Sequence, residues 1–343
     1  MGIDLGTASV VIYMQGKGIV LNEPSAVAYN SEGCIVGVGK KAYDMYGRNP
    51  SGIRVIKPLV NGVVADFTAT KHMLEYFFSK VCKNMVLRPN VIMCVPSAVT
   101  DLEKRTLLSL ASAAGAARAW LIEEPLAAAL GVGLESSRPK GIMVVDIGGG
   151  TTDIAIITMG SIAISKSIQV AGNAFDEAIM RQLRRERDII IGEKTAEQIK
   201  IKIGSATLRD VELGMTAKGK NYITNMPEAF EISSTEVFLA LRPCLEMIIG
   251  GIRETLEQST PELAADVLDY GIVLTGGGSM LRNIDKMIER KTGIKTKLAS
   301  SPLNCVALGA GRAIEHVDLL SDSGYIIRVN DKPKAGKKES KRD

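Results

Sequence analysis

Two short segments of the chain place an aspartate just before a glycine-containing turn. They are Asp4-Leu5-Gly6-Thr7 and Asp146-Ile147-Gly148-Gly149-Gly150-Thr151. Glycine lets backbone N–H groups approach an anion, and threonine adds a hydroxyl. A carboxylate cannot bind phosphate directly, so it needs a bridging cation, and Mg²⁺ held largely through water suits this role. The pattern predicts that Asp4 and Asp146 flank a magnesium-phosphate group; two ordinary glycine turns are the alternative.

A third glycine cluster follows a predicted strand and precedes a helical pattern. It runs Thr275-Gly276-Gly277-Gly278-Ser279-Met280. Three glycines allow a flat ring or a sugar to lie close to the backbone. The sequence contains neither the lysine-bearing phosphate-loop motif nor G-x-G-x-x-G, which argues against P-loop and Rossmann proteins.

Two pairs of charged residues could assist such a site. Glu123 and Glu124 stand directly before Pro125 at the start of a helical pattern. The helix dipole and the fixed φ of proline explain these residues without any chemistry. One of the acids could instead orient a water molecule near a terminal phosphate. Glu197 and Lys200 share one face of a predicted helix, where a surface ion pair is the alternative to a ligand contact.

Short apolar runs alternate with helical patterns through most of the chain, which argues for an α/β fold. Apolar runs predict strands at Val10–Tyr13, Val91–Val95, Ile142–Val145, Ile154–Ile157 and Ile272–Leu274.

Three helical segments carry more specific signals. Apolar residues at helical spacing predict a helix over Thr70–Lys83. Thr100 and Glu103 match a capping box that opens another helix. A long helical pattern over Ser234–Ser259 contains Pro243, which should kink or split it.

The two aspartate loops begin two similar stretches of chain. Ile3-Asp4-Leu5-Gly6-Thr7 and Val145-Asp146-Ile147-Gly148-Gly149-Gly150-Thr151 each precede a β-rich segment. The repetition predicts a duplicated domain in which the two loops face one ligand.

Length and charge limit the choice of function. A chain of 343 residues suggests two domains or one large α/β unit. The net charge is +4, and residues 330–343 hold six basic and three acidic residues, so the body is almost neutral. A basic tail on a neutral body is weak support for nucleic-acid binding, so no nucleic-acid partner is expected. The tail itself is predicted to be disordered.

Cysteine usage and hydropathy indicate a cytoplasmic protein. The five cysteines form no C-x-x-C pair and are expected to be buried free thiols in a reducing compartment. Two histidines are too few for a His-rich metal site. The first residues already have a strand pattern, so no signal peptide is expected. No apolar run reaches the ~18 residues that span a bilayer, so any membrane contact should be peripheral.

Together these motifs resemble the actin, Hsp70 and sugar-kinase superfamily, and within it the bacterial actin homologues of the MreB/Mbl family. The resemblance keeps the same order from residue 2 to about residue 320. It is carried by Gly2-Ile3-Asp4-Leu5-Gly6-Thr7-Ala8, Leu21-Asn22-Glu23-Pro24-Ser25, Leu121-Ile122-Glu123-Glu124-Pro125, Val144-Val145-Asp146-Ile147-Gly148-Gly149-Gly150-Thr151-Thr152, Ile191-Gly192-Glu193-Lys194-Thr195-Ala196-Glu197, Pro261-Glu262-Leu263 and Leu274-Thr275-Gly276-Gly277-Gly278.

This resemblance implies an α/β architecture of the actin-like ATPase fold. Two ribonuclease-H-like domains, each with a smaller inserted subdomain, would enclose a nucleotide cleft. The implied parts are residues 1–138 with an insertion at about 22–66, residues 139–325 with an insertion at about 178–240, and a Lys-rich disordered tail at 326–343.

The resemblance also implies bound ATP and Mg²⁺. Asp4 and Asp146 would hold Mg²⁺ through waters, and Glu124 would position the hydrolytic water with help from Thr151. The residues implied to line the nucleotide are Thr7, Ala8, Ser9, Gly148, Gly149, Gly150, Thr151, Glu197, Gln198, Ile199, Lys200, Gly277, Gly278, Ser279 and Met280.

The implied function is a slow ATPase that polymerises into paired protofilaments on the inner face of the cytoplasmic membrane. There it would organise the cell-wall elongation machinery and maintain rod shape. Candidate membrane contacts are the apolar segment Met85-Val86-Leu87 and the tail lysines, with a packed connection and a solvated tail as the alternatives.

Other functions of the superfamily fit the sequence less well. A filament protein that binds nucleotide without hydrolysing it is the main alternative. A chaperone of the Hsp70 type needs a peptide-binding domain, which a tail of about 20 residues cannot form. A sugar kinase needs a sugar pocket and a catalytic base, for which no further motif is present.

The chain departs from the family pattern at four places. Family members usually carry several residues before the first motif, and many have an amphipathic membrane helix there; the given sequence starts at the motif, so this anchor is expected to be absent. Ser9 replaces the usual Asn, Asp153 replaces the usual Glu, and Lys202 replaces a Glu near the adenosine. These changes are expected to affect the ribose contact and the rate of hydrolysis more than nucleotide binding itself.

Overall fold

The structure is a computed structural model that describes residues 1–83, 85, 87–133 and 140–314. The first part of the chain contains, in order, β1 (Gly2–Leu5), β2 (Ser9–Met14), β3 (Gly18–Pro24), β4 (Val27–Tyr29), β5 (Ile35–Val38), α1 (Lys40–Met45), β6 (Arg54–Ile56), β7 (Leu59–Val60), β8 (Val63–Val64), α2 (Phe67–Val81), β9 (Asn90–Val95), α3 (Asp101–Ala113), β10 (Arg118–Glu123) and α4 (Glu124–Gly131).

The second part follows a similar plan. It contains β11 (Ile142–Ile147), β12 (Thr152–Thr158), β13 (Ser161–Ile168), α5 (Gly172–Arg187), β14 (Ile189–Ile190), α6 (Glu193–Ile203), β15 (Gly214–Asn221), β16 (Pro227–Ser233), α7 (Ser234–Glu257), α8 (Pro261–Tyr270), β17 (Ile272–Thr275), a 3₁₀ turn (Gly277–Met280), α9 (Ile284–Thr292), β18 (Thr296–Leu298) and α10 (Cys305–Ala313).

Two five-stranded sheets with the same connectivity dominate the fold. Their strand orders are β10-β9-β1-β2-β3 and β18-β17-β11-β12-β13. In each sheet the first three strands in sequence form an antiparallel meander, and two later strands are added in parallel. The predicted duplication is therefore confirmed at the level of topology. Smaller three-stranded sheets, β5-β4-β6 and β14-β15-β16, lie outside the two main sheets.

The two halves share an apolar core at their base. Buried residues from both sides meet there, among them Trp120 and Leu126 of the first half with Val144 and Val306 of the second. Helices α4 and α10 pack closely in this core. Gly309 of α10 lies so near to α4 that an added Cβ would overlap the Ala127 carbonyl oxygen. Apolar contact and close packing make this base the firm connection between the halves.

The local predictions agree with the observed elements, with one exception. The five predicted strands lie within β2, β9, β11, β12 and β17, and Thr100 forms the predicted capping box with Glu103 at the start of α3. Of the two predicted effects of Pro243, the split is wrong, because α7 is one helix with Pro243 inside it, and the kink stays a prediction. The apolar face of α7 is buried on both sides of the proline, at Leu241 and Leu245, and this burial outweighs the lost hydrogen bond.

The cysteines follow the prediction except at one position. All five are free, and Cys94, Cys244 and Cys305 are buried, while Cys82 is partly buried. Cys34 is exposed, because it lies in the turn between β4 and β5, where residues 31–35 all face solvent.

Candidate functional site

The two aspartate loops have the same backbone geometry. Each joins the first two strands of its sheet, and each is closed by one hydrogen bond between residues three apart. The Gly6 N–H donates to the Ser9 carbonyl at 3.0 Å, and the Gly148 N–H donates to the Thr151 carbonyl at 2.9 Å. The sequence repetition therefore corresponds to a repeated hairpin turn.

The two loops lie against each other. A Cβ built on Gly150 would come within 2.7 Å of the Thr7 hydroxyl oxygen, and one on Gly149 within 2.8 Å of the Ala8 side chain. Only glycine fits at both positions without moving the opposite loop. The structure thus brings the predicted residues 7–9 and 148–151 together at one place between the main sheets.

A tight turn missed by the sequence interpretation sits beside both loops. Asn61 and Gly62 connect β7 to β8 with positive φ angles of 49° and 77°, as a two-residue hairpin turn requires. The Gly62 N–H donates to the Thr7 hydroxyl at 2.8 Å, and the Asn61 side-chain amide donates to Gln169 of the other half at 3.1 Å. The Asn-Gly dipeptide between valines signals the turn, but nothing local to it signals its place beside the loops.

Four carboxylates gather behind the loops. Asp4 and Asp146 are the last residue but one in the first strand of their sheets, Asp153 lies on β12, and Glu124 opens α4. Burial raises the pKa of Asp4 to about 7. Burial first, then the charges of Asp4 and Asp153, raise the pKa of Asp146 well above its usual range. For Glu124 the same rise comes from burial and then from Asp153, Asp146 and Asp4.

Such a cluster requires either shared protons or a cation, because buried like charges disfavour one another. Asp153 is fully buried; its Oδ1 accepts a hydrogen bond from the Ser97 N–H at 3.1 Å, while its Oδ2 has no hydrogen-bond partner among the described residues. Burial also raises the pKa of Asp153. These observations fit a divalent cation nearby.

The protein groups alone do not form a metal cage. Within the described ranges, no three Asp, Glu, His or Cys side chains are arranged so that they could hold a metal ion together. Mg²⁺ typically binds through one or two carboxylates plus waters and substrate phosphates. The donor set at Asp4 and Asp146 therefore fits Mg²⁺ only as part of a phosphate complex.

The third glycine loop closes onto the second aspartate loop. Gly276 has φ of 83°, and a Cβ there would collide with the Asp146 carboxylate. The Ser279 hydroxyl is buried and donates to the Gly276 carbonyl at 2.6 Å. Its proton is therefore already bound within the loop and is not available to a ligand. Met280 is exposed, as is Gly277, and both are accessible to a ligand ring.

Residues 197–200 of α6, which were all predicted to line the nucleotide, lie in different environments. Lys200 donates to the Gly172 carbonyl at 3.0 Å and pairs with Asp176 at 2.9 Å. Burial raises the pKa of Asp176 to about 6 despite this lysine. Ile199 is fully buried in the core of the second half, and Gln198 is exposed.

The remaining residue of this run, Glu197, accepts a hydrogen bond from the Tyr43 hydroxyl at 2.9 Å. Lys202, one turn beyond Gln198, is exposed. The helical period explains the difference within the run, because residues 197 and 200 share one face while 199 points to the core.

The sequence profile of the MreB/Mbl protein family matches residues 1–322. The chain is 44% identical over 326 residues to the cell shape-determining protein MreB of Escherichia coli (strain K12), covering 93% of this chain and 94% of that protein. The chain belongs to the MreB/Mbl family. The cell shape-determining protein Mbl of Bacillus subtilis (strain 168) is 41% identical over 322 residues, covering 93% of this chain and 97% of Mbl.

Several solved structures have the same fold as this chain. The crystal structure of MreB5 of Spiroplasma citri bound to AMPPNP superposes with a TM-score of 0.88 at 40% identity, covering 94% of this chain and 98% of that one. The ADP-bound form of MreB5 gives 0.89 at 41% identity, with the same coverage. The MamK double helical filament shares the fold at a TM-score of 0.79 and 22% identity, over 92% of this chain and 98% of that chain. The predicted actin-like fold is confirmed.

The features predicted to contact a membrane lie at the edge of the described regions. Met85 and Leu87 are exposed, Leu87 by 79%. Asn84, Val86 and the tail from residue 315 onward lie outside the described residues. Among the helices that the structure describes, none is both long and apolar enough to span a bilayer.

Proposed function

We propose that this MreB/Mbl-family protein binds Mg·ATP between its two aspartate loops. The observation that carries the proposal is the pair of identically closed loops, Gly6–Ser9 and Gly148–Thr151, in contact with each other and backed by Asp4 and Asp146. Backbone N–H groups in such turns bind phosphate oxygens, and the carboxylates behind them bind the water shell of Mg²⁺. The nucleotides bound to MreB5 of Spiroplasma citri support this assignment.

The same site would hydrolyse ATP slowly. Phosphoryl transfer needs mainly positioning and charge stabilisation. Glu124 would orient the attacking water and accept its proton. Thr151, which ends the second loop, would help to hold that water. Mg²⁺, when bound, would neutralise charge that develops on the phosphate oxygens.

A non-hydrolysing filament protein is the second candidate. It is favoured by one observation: the Asp153 side chain is held by the Ser97 N–H inside the carboxylate cluster, and it is shorter than the Glu usual at this position. A phosphate-release assay on the purified protein separates the two candidates.

The assembled form would be a homopolymer of paired protofilaments that organises cell-wall elongation and maintains rod shape. Support comes from the relatives, which are named cell shape-determining proteins. The polymer would lie at the inner face of the cytoplasmic membrane. The exposed side chains of Met85 and Leu87 supply an apolar point that could insert into the headgroup region.

The decisive experiment is calorimetry of the folded protein with Mg·ATP, followed by electron microscopy with ATP and anionic vesicles. Binding heat and vesicle-attached double filaments are expected. Absence of binding heat from well-folded protein contradicts the nucleotide site, and monomers under all conditions contradict the filament. Loss of vesicle attachment in Leu87→Ser with filaments retained would support the apolar insertion; unchanged attachment would contradict it.

A further inference from the structure

The nucleotide cleft has one apolar end and one polar end. At its base the halves share a buried core that includes Trp120 and Val144. At its mouth, α1 and the segment that follows it face α6 of the other half, and the contacts between them are hydrogen bonds and ion pairs. The hydrogen bonds and ion pairs at the mouth can be replaced by bonds to water at a small cost in free energy. Separating the apolar core at the base would expose hydrocarbon to water at a large cost. The mouth is therefore the end that opens.

Two tyrosines form the mouth contact together with two glutamates. The Tyr43 hydroxyl donates to Glu197 Oε2 at 2.9 Å, and the Tyr46 hydroxyl donates to Glu193 Oε1 at 2.9 Å. The tyrosines are three residues apart and the glutamates four, so each pair lies on one side of its segment. The two bonds form a ladder across the cleft.

Lysines reinforce both rungs of this ladder. Lys57 pairs with Glu193 and lies over the Tyr46 ring, 4.6 Å from its centroid. Lys194 donates to the Tyr43 carbonyl and lies 4.5 Å from the centroid of the Tyr43 ring. The two tyrosine rings are themselves nearly parallel, with an interplanar angle of 9°.

Both hydroxyls stay protonated at physiological pH. Burial, followed by the hydrogen bond to Glu193, raises the pKa of Tyr46 to about 12. Burial and then Glu197 raise the pKa of Tyr43 further above its ordinary value. The tyrosines are therefore permanent donors to the two carboxylates.

Helix α6 connects this ladder to the second phosphate loop. Lys200, on the same face as Glu197, donates to the Gly172 carbonyl. The Gly172 N–H donates in turn to the Gly148 carbonyl at 3.1 Å, and the neighbouring Asn173 N–H donates to the Gly149 carbonyl at 2.8 Å. A movement of α6 at the mouth is thus transmitted to the loop proposed to hold phosphate.

We propose that the Tyr43–Glu197 and Tyr46–Glu193 ladder is a latch that holds the cleft closed and sets the rate at which nucleotide leaves. This inference rests on the proposed nucleotide site and adds its regulation. Tyr43 acts as a positioning residue: it holds Glu197 and, through α6, the second phosphate loop. Breaking the latch speeds nucleotide release without removing any group that touches phosphate.

The test measures dissociation of a fluorescent ADP analogue from the full-length protein by stopped flow. Tyr43→Phe removes one hydroxyl and keeps the ring stack. It is expected to raise the dissociation rate about tenfold, equivalent to ~1.4 kcal/mol. Tyr46→Phe should have a smaller effect, because Lys57 still holds Glu193. Tyr76→Phe, an exposed tyrosine on α2, is the matched control and should leave the rate unchanged.

A double-mutant cycle separates the latch from a general loss of structure. If the hydroxyl acts through the carboxylate, Tyr43→Phe should have little further effect in Glu197→Met, which has no acceptor oxygen, while the melting temperature of the ligand-free protein stays near that of the unmodified chain. Equal dissociation rates for Tyr43→Phe and the unmodified protein overturn the latch and leave the nucleotide site intact. Failure of the unmodified protein to bind the analogue overturns the proposed function instead.

Discussion

Asp146 and Asp153 lie directly opposite each other in the antiparallel β11–β12 pair. At the equivalent position of the first half, Asp4 faces Val11. The duplicated hairpins therefore differ in charge at one cross-strand position. Opposed like charges on neighbouring strands destabilise a sheet, so this pair makes the second hairpin dependent on protons or a cation.

Replacing Asp153 with Asn should stabilise the ligand-free protein. The amide keeps an oxygen that can accept the Ser97 N–H, but it removes the charge beside Asp146. We expect the free energy of unfolding to rise by about 1 kcal/mol at pH 8 and to change little at pH 5. Urea denaturation measures this. Asp210→Asn, at an exposed loop position, is the control. Equal stability of Asp153→Asn and the unmodified protein at pH 8 would show that the pair carries no repulsion.

The stabilisation by Mg·ADP should grow with pH. The pKa of Asp4 is about 7 in the fold, against ~3.9 in an unfolded chain. The folded form thus binds the Asp4 proton more tightly than the unfolded chain does. The resulting contribution of Asp4 to the free energy of unfolding is fully present below about pH 4 and is lost as the pH rises through about 7.

Bound Mg·ADP offsets that loss, because the cation favours the charged carboxylate. Thermal unfolding between pH 5 and 8 should therefore show an increasing difference between the melting temperatures with and without Mg·ADP. In Asp4→Asn this difference should depend less on pH. Identical pH profiles for the unmodified protein and Asp4→Asn would show that Asp4 does not couple Mg·ADP binding to pH.

Glu124→Gln should separate binding from hydrolysis. The amide has nearly the shape of the carboxyl but cannot accept a proton, so phosphate release should fall about 100-fold or more. ATP affinity should change little, because the side chain lies behind the loops. Glu262→Gln is a matched control: Glu262 is also a first-turn acid beside a proline, but it is exposed on α8. Unchanged phosphate release in Glu124→Gln would exclude Glu124 as the general base.

Gly150→Ala should weaken nucleotide binding at least tenfold. The added methyl would lie 2.7 Å from the Thr7 hydroxyl and 2.8 Å from the Asn61 backbone, so the two loops must separate. Such overpacking costs ~1–3 kcal/mol. Gly250→Ala, where a Cβ meets nothing within 4 Å, is the control and should bind normally. Calorimetric titration with Mg·ADP distinguishes the two variants, and equal affinities would contradict the loop contact.

Several features of the fold and of the site could be predicted from the sequence, because their signal is local. The Asp-x-Gly turns follow strands, and the capping box at Thr100 is encoded within four residues. Other residues could not be predicted in this way. Ile199 sits between Glu197 and Lys200 in a motif, yet helical rotation directs its side chain into the core.

By itself, the amino-acid sequence determined the duplicated hairpins, the α/β alternation and the glycines at the loops, because each depends on residues that are neighbours along the chain. Only the tertiary structure decided that Gly62 donates to Thr7, that Tyr43 reaches Glu197 and that Asp153 joins Asp4 and Glu124. These contacts join residues far apart in sequence. They exist because the shared apolar base holds the two halves at one distance, and no local pattern encodes that distance.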